Sequence, residues 1–362
     1  MLTRVSWNLL APVIAVVSLV FTWGEDIGPL VGGIEAVLLA GAVLAAVHHA
    51  EVVAHRVGEP LGSLVLAVAV TVIEVALIVT LMTSGGDKAA TLARDTVFSA
   101  VMITTNGIAG LALLVGSRRY GVTHFNAEGS GSALATIATL ATLGLVLPTF
   151  TTSHPGPQFS PGQLVFAAVA SLALYLMFVF TQTVRHRDFF LPVEQQGADD
   201  PDDDSHADPP SNSETLISLG LLLVALVAVV GLAKVESPII ERMVAAAGFP
   251  HSFVGVVIAT LVLLPETLAA VRAAQRGRMQ IGLNLAYGSA MASIGLTIPT
   301  IALASIWIRG PLILGLGATQ LVLLALTVVV STLTVVPGRA TRLQGEVHLV
   351  LLAACFFLAM SP

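Results

Sequence analysis

Apolar residues in this chain recur in runs of about 20 separated by short polar clusters, and that length is what most restricts its fold. Eleven such runs can be read, at 7–23, 28–47, 61–83, 96–116, 130–150, 162–184, 215–233, 251–271, 282–306, 311–331 and 345–361. At a rise of about 1.5 Å per residue, a helix of about 20 residues matches the roughly 30 Å hydrocarbon layer of a bilayer. The expected fold is an all-α polytopic membrane protein with 11 transmembrane helices. Composition agrees, because only 10% of the 362 residues are charged and 56% are apolar, whereas roughly a quarter of a soluble domain is charged.

The charge that exists is unevenly placed. Residues 185–214 hold nine acids and two bases, a net of −7, while the rest of the chain sums to +1. One segment therefore accounts for the acidic net charge. Its stretch from Gln195 to Ser213 is rich in Asp, Pro and Ser, and so is too polar to bury a core and reads as a flexible linker. The spacing of its acids is not that of an EF-hand. The bases set an orientation, because Lys and Arg are retained on the cytoplasmic side. With the N-terminus inside, 11 of the 16 bases fall on the cytoplasmic side and five outside. The linker is then cytoplasmic and the C-terminus external. Cys355 is the single cysteine, so neither an intrachain disulfide nor a cysteine-based metal site is expected. Met1 to Gly24 has the length of a signal peptide but no small-residue cleavage site, and is read as the first span.

An internal repeat organises the chain. Aligning Glu74 on Glu266 sets Leu61-Gly62-Ser63-Leu64-Val65 against Phe253-Val254-Gly255-Val256-Val257, and further on Phe98-Ser99-Ala100-Val101-Met102 echoes Gly288-Ser289-Ala290-Met291-Ala292. Setting aside the first span leaves five before the linker and five after it. Five is odd, so the second unit enters the membrane from the opposite side, the pattern of inverted repeats that meet at a midplane site. The expected organisation is an N-terminal helix over 1–27, a first repeat over 28–184, the acidic cytoplasmic linker over 185–214 and a second repeat over 215–362.

An ionised carboxylate deep in a spanning helix costs about 2.5–3.5 kcal/mol on insertion scales, so it needs a compensating role. Glu74 and Glu266 are both deep, and both hold the same place in their repeat. The plain alternative is a pair of hydrogen-bonded glutamates that join helices. Two carboxylates converging across a pseudo-two-fold axis suit a hard cation, and without it burial favours protonation. A site that holds either a cation or protons is the basis of exchange. Pro265 lacks a backbone N–H and frees a carbonyl one turn back; Glu74 has no neighbouring Pro or Gly to announce a break. Thr71, Thr80, Ser99, Asn106, Ser289 and Ser293 offer further oxygens, although such residues commonly bond their own helix backbone. Glu35 in the second span is a third acid, without an evident counterpart in the seventh, and reads as an outer proton acceptor or as the partner of a neighbouring polar group. His48-His49-Ala50-Glu51-Val52-Val53-Ala54-His55-Arg56 is not His-Glu-x-x-His and reads as a cytoplasmic loop beside the interface. No phosphate-binding loop, nucleophile elbow or paired intramembrane Asp is present, which argues against a nucleotide-driven pump or a membrane-embedded enzyme.

Together these residues resemble the cation/calcium exchanger superfamily, most closely its bacterial calcium/proton and sodium-potassium/proton antiporters. The resemblance is carried by His48 and Ala50 through Leu64 leading into Glu74, by Arg94-Asp95-Thr96, by the Asp-rich linker, and by Leu264-Pro265-Glu266 followed by Asn284-Leu285-Ala286-Tyr287-Gly288-Ser289 and Thr297-Ile298-Pro299. It implies that Glu74 and Glu266 alternately bind cation and proton on two central helices while gating helices slide. Thr71, Ser99, Ser289 and Glu35 are secondary candidates. The chain departs from the wider family at Thr71-Val72-Ile73-Glu74, at Ala292 and in span 4, where side-chain oxygens are fewer, so sodium or potassium stays open beside calcium. The expected function is secondary cation/proton antiport in a cell (inner) membrane, with inorganic cations, protons and lipid as partners, no nucleic acid and no cofactor. A sodium/calcium exchanger of the same fold and a passive cation channel are the alternatives.

Overall fold

The computed structural model describes residues 7–25, 27–58, 61–84, 90–193, 210–307 and 310–362. The acidic stretch 194–209, Glu59-Pro60 and Gly85-Gly86 lie outside the described residues. In chain order the helices are α1 (Trp7–Thr22), α2 (Pro29–Val57), α3 (Leu61–Ser84), α4 (Leu92–Tyr120), α5 (Ala127–Phe150), α6 (Pro161–Arg185), α7 (Asn212–Ala246), α8 (Phe253–Val262), α9 (Leu264–Gln275), α10 (Met279–Ala304), α11 (Ala318–Val335) and α12 (Arg342–Met360). Each of the 11 apolar runs falls on one of these, with α8 and α9 sharing the eighth. The protein is an all-helical, multi-pass membrane protein.

Local chemistry sets where the helices begin and end. Pro29 opens α2 and Gly58, at φ 78°, closes it, a conformation that glycine adopts without a Cβ clash. Ser160 and Ser211 each form a capping box, with Gln163 and Glu214, at the starts of α6 and α7, which satisfies backbone N–H groups that no helix can pair internally. Within α4, Ile103–Ile108 is wound as a π-helix. There the Thr104 and Thr105 hydroxyls bond backward to the carbonyls of Ala100 and Val101, and such side-chain competition for carbonyls loosens the helical ladder.

Two sequence readings change. The seventh span ends at 233 by hydropathy, yet α7 is a 35-residue helix that runs on to Ala246 with Pro238 inside it, so Lys234 and Glu236 are helical. His48 to Arg56 is not a loop, because it forms the last turns of α2. Ala50, Val52, Val53 and Ala54 carry the helix on, and the chain meets no breaker before Gly58. His49 is buried there, with Nε2 3.1 Å from the Asn8 carbonyl.

Packing mixes the two halves of the chain. One apolar core is built mainly from α4, α5, α6, α10, α11 and α12. The other joins α1, α2, α3, α7 and α8. Each core thus draws matching spans from before and after the linker. A two-stranded pairing, Thr123–His124 against Arg339–Ala340, ties the α4–α5 turn to the α11–α12 turn. The contact is tight where α8 crosses α4: a Cβ added at Gly255 would lie 2.8 Å from the Thr96 amide nitrogen. Small residues at such crossings let helix backbones approach closely.

Candidate functional site

The two deep glutamates lie where α3, α4, α8, α9 and α10 meet. α3 packs on both α10 and α4, α8 packs on α4, and α9 packs on α10 and α4. Glu74 is in the middle of α3, which runs unbroken from Leu61 to Ser84. Its side chain is 2% exposed, and its Oε1 accepts a 2.5 Å hydrogen bond from the Ser293 hydroxyl on α10. A carboxylate from the first half is therefore held by a hydroxyl from the second.

Glu266 is placed differently. α8 stops at Val262 and α9 starts at Leu264, with a bend of 51° between them. Pro265 stands in the first turn of α9, where its missing N–H costs nothing, and Glu266 follows in that same turn. The expected proline effect thus takes the form of a helix break. A helix N-terminus carries unpaired N–H groups and a partial positive charge, which favours a carboxylate there. The Glu266 side chain is 4% exposed, and neither of its oxygens receives a hydrogen bond from another described residue. Glu74 lies within its electrostatic reach.

The secondary candidates separate. Thr71 is buried one turn before Glu74, and Ser289 is half-buried one turn before Ser293. Ser99 is buried but donates to the Asp95 carbonyl at 2.6 Å within its own helix. Asn106 belongs to another cluster, in which its amide donates to Thr327 and its Oδ1 lies 2.9 Å from His348 Nδ1. Ser293, named in the sequence among six oxygen-bearing residues but not carried among the secondary candidates, is the one that meets Glu74. Glu35 is buried at the far side of α2, bonded to Ser18 of α1. Glu236 of α7, which is 1% exposed, lies near it in space but toward the opposite end of its own helix, so it is a neighbour of Glu35 and not its match in the repeat. Hydropathy ended that span before Glu236 and so concealed it.

No group of three His, Cys, Asp or Glu able to hold a metal converges among the described residues. A cation at Glu74 and Glu266 would need hydroxyl and backbone carbonyl oxygens to complete its shell. Oxygen ligands of this kind suit hard cations such as calcium.

The sodium/calcium exchanger protein family matches residues 29–184 and 217–361. The chain belongs to that family. Among relatives, it is 47% identical over 90% of its length to the protein y4hA of Sinorhizobium fredii strain NGR234, covering 87% of that protein. It is 36% identical over 96% of its length to the sodium-potassium/proton antiporter ChaA of Escherichia coli K12, covering 94% of it. Among solved structures, native YfkE superposes with a TM-score of 0.71 at 15% identity, covering 98% of each chain. The H+/Ca2+ exchanger CAX superposes with a TM-score of 0.68 at 13% identity, over 99% of this chain and 93% of that one. At those identities the structural likeness establishes the fold. The gap between the two matched stretches of the family falls on the acidic segment.

Proposed function

We propose that this protein is a cation/proton antiporter that exports calcium, and also sodium or potassium, in exchange for inward-moving protons. The observation that carries the reading is the unmatched pair of intramembrane carboxylates. Glu74 has a hydroxyl partner from the other half of the chain, whereas Glu266 is buried with no donor from another residue. A carboxylate cannot stay ionised and unpaired in such a place, so Glu266 carries either a proton or a cation. Two ligands that cannot be present together are the elements of exchange. The names of ChaA and CAX, a sodium-potassium/proton antiporter and a proton/calcium exchanger, support the same chemistry.

On this reading the chain consists of α1, two inverted five-span repeats and the acidic linker. It lies in the inner membrane with the N-terminus and linker cytoplasmic, as the excess of basic residues on that side supports. Protons from the more acidic exterior displace the cation from the two glutamates and then leave on the alkaline inner side. With two carboxylates taking part, one calcium against two protons moves no net charge.

The test is transport into everted vesicles under an imposed pH gradient, with calcium, sodium and potassium compared. Proton-driven uptake of at least one of them is expected. Uptake that needs a sodium gradient and ignores the pH gradient would assign sodium/calcium exchange instead, and flux that continues without any counter-ion would assign a channel. In liposomes, calcium exchange should not respond to membrane potential.

A further inference from the structure

A second buried carboxyl pair lies outside the site already described. α2 and α7 pack along much of their length and run antiparallel, since Arg56 near the end of α2 donates to Asn212 at the start of α7. Gly32 on α2 is seated directly against the Ile239 side chain on α7. One turn on from that contact, in the opposite sense along each helix, Glu35 comes opposite Glu236. Both residues are 1% exposed, and Glu236 feels the Glu35 carboxyl across the contact. Ser18 of α1 donates to Glu35 Oε1 at 2.5 Å. Beyond that, Glu35 Oε2, Glu236 Oε1 and the adjacent Ser237 hydroxyl are buried with no hydrogen-bond partner among the described residues.

Among the described residues, the groups that face this pair do not neutralise it. α1 brings Ser18 and Thr22, the latter bonded to the Ser18 carbonyl, and has no charged side chain. α3, which packs on both α2 and α7, brings only the acid Glu74. On α7, Lys234 is turned onto the Trp23 ring, 4.7 Å from its centroid, and Glu241 lies 3.8 Å from His251. Arg242 sits more than a turn beyond Glu236 and donates to the Pro238 carbonyl. On α2, His48, His49 and Glu51 are more than three turns away at the opposite end. Two carboxylates facing each other without a cationic partner cannot both be ionised, and one proton between them turns repulsion into a hydrogen bond.

We propose that Glu35 and Glu236 form a second proton-binding site, separate from the Glu74 and Glu266 centre, which holds a shared proton while α1, α2 and α7 are packed together. The oxygens left unmatched are the donor and acceptor that such a proton joins. The proposed ligand is the proton, which the two unmatched carboxyl oxygens can share. Losing it would set like charges against each other across the α2–α7 contact, and opening of that contact would therefore release a proton.

Infrared spectroscopy of the purified protein in nanodiscs tests this independently of transport. In a Glu74→Gln/Glu266→Gln protein, which leaves the pair untouched, a protonated-carboxyl stretching band is expected at neutral pH that calcium does not abolish. The band should disappear on adding Glu236→Gln and shift in frequency on adding Ser18→Ala, which removes the donor to Glu35. Absence of the band in the Glu74→Gln/Glu266→Gln protein, or a band indifferent to both additions, overturns the proposal. In vesicles, Glu236→Gln with the central glutamates intact is expected to move the pH of half-maximal exchange by about one unit, the scale of coupling between interacting acids, with calcium half-saturation changed less than about threefold. An unchanged pH profile would also overturn it. Failure of the antiport reading would leave the infrared result standing.

Discussion

The surroundings of Glu74 and Glu266 differ more than their matched positions in the sequence suggest. Glu74 lies on a continuous helix and is held by Ser293 from the opposite half of the chain. Glu266 lies just past a 51° break with no donor from another residue. A hydrogen bond to a charged group contributes about 1.5–3 kcal/mol, close to the roughly 2.5–3.5 kcal/mol cost of an intramembrane carboxylate. That bond offsets much of the cost at Glu74, while at Glu266 only the helix end is available. On the proposed function, Glu74 would be the fixed half of the site and Glu266 the half left for proton or cation to complete.

The largest expected effect comes from removing either carboxylate. Glu266→Gln and Glu74→Gln should each lower proton-driven cation flux in vesicles by more than about a hundredfold, with the protein still monodisperse and helical by circular dichroism. Glutamine keeps the size and most of the hydrogen bonding but cannot balance a cation's charge. Normal transport by either variant would remove the central site from the mechanism. Next comes Ser293→Ala, which deprives Glu74 of its partner. The loss of about 1.5–3 kcal/mol predicts a roughly ten- to hundredfold weaker apparent calcium affinity in flux assays. Ser289→Ala, one turn away on the same helix, should change it less than about threefold. Equal effects from the two serines would mean that Ser293 does not single out Glu74.

The membrane spans could be read from the sequence because each apolar run is long enough to name itself. All 11 runs overlap a helix, although in the tenth residues 311–317 precede α11 without helical structure, and the two glutamates stand out because so few charges lie inside them. What the sequence did not give depends on packing. From the sequence, Thr71 and Ser289 rank above Ser293, and it is the placing of α3 against α10 that brings Ser293 to Glu74. Glu236 was missed because Lys234 and Glu236 together lower the local hydropathy, while the helix simply continues past them. The histidine stretch was misread for the same reason, since polarity marks neither a loop nor a helix end when no breaker is present.

A third, smaller effect concerns the crossing that holds the broken segment in place. A Cβ at Gly255 would meet the Asp95 and Thr96 backbone at 2.9 and 2.8 Å, while one at Gly288 would meet nothing within 4 Å. Overpacking of this kind costs about 1–3 kcal/mol. Gly255→Ala should therefore lower the thermal unfolding midpoint in detergent by several degrees, and Gly288→Ala should leave it in place. A stable Gly255→Ala protein with normal flux would show that α8 can slide on α4 without losing function.

The smallest expected effect separates the proline from the packing as the cause of the break. Pro265 stands in the first turn of α9, so it begins that helix without disrupting it. Pro265→Ala restores an N–H that can reach back to α8 and permits a continuous helix like α3, but the Gly255 contact still fixes where α8 lies. The bend should survive in part, with exchange slowed by no more than about fivefold. Spin labels at positions 257 and 271, one on each side of the break, would report the angle alongside the flux. A fully straightened helix with flux lost would make the proline the origin of the difference between the two glutamates. An unchanged angle would assign that difference to the α4–α8 crossing, and Glu266 would then owe its unmatched state to tertiary packing.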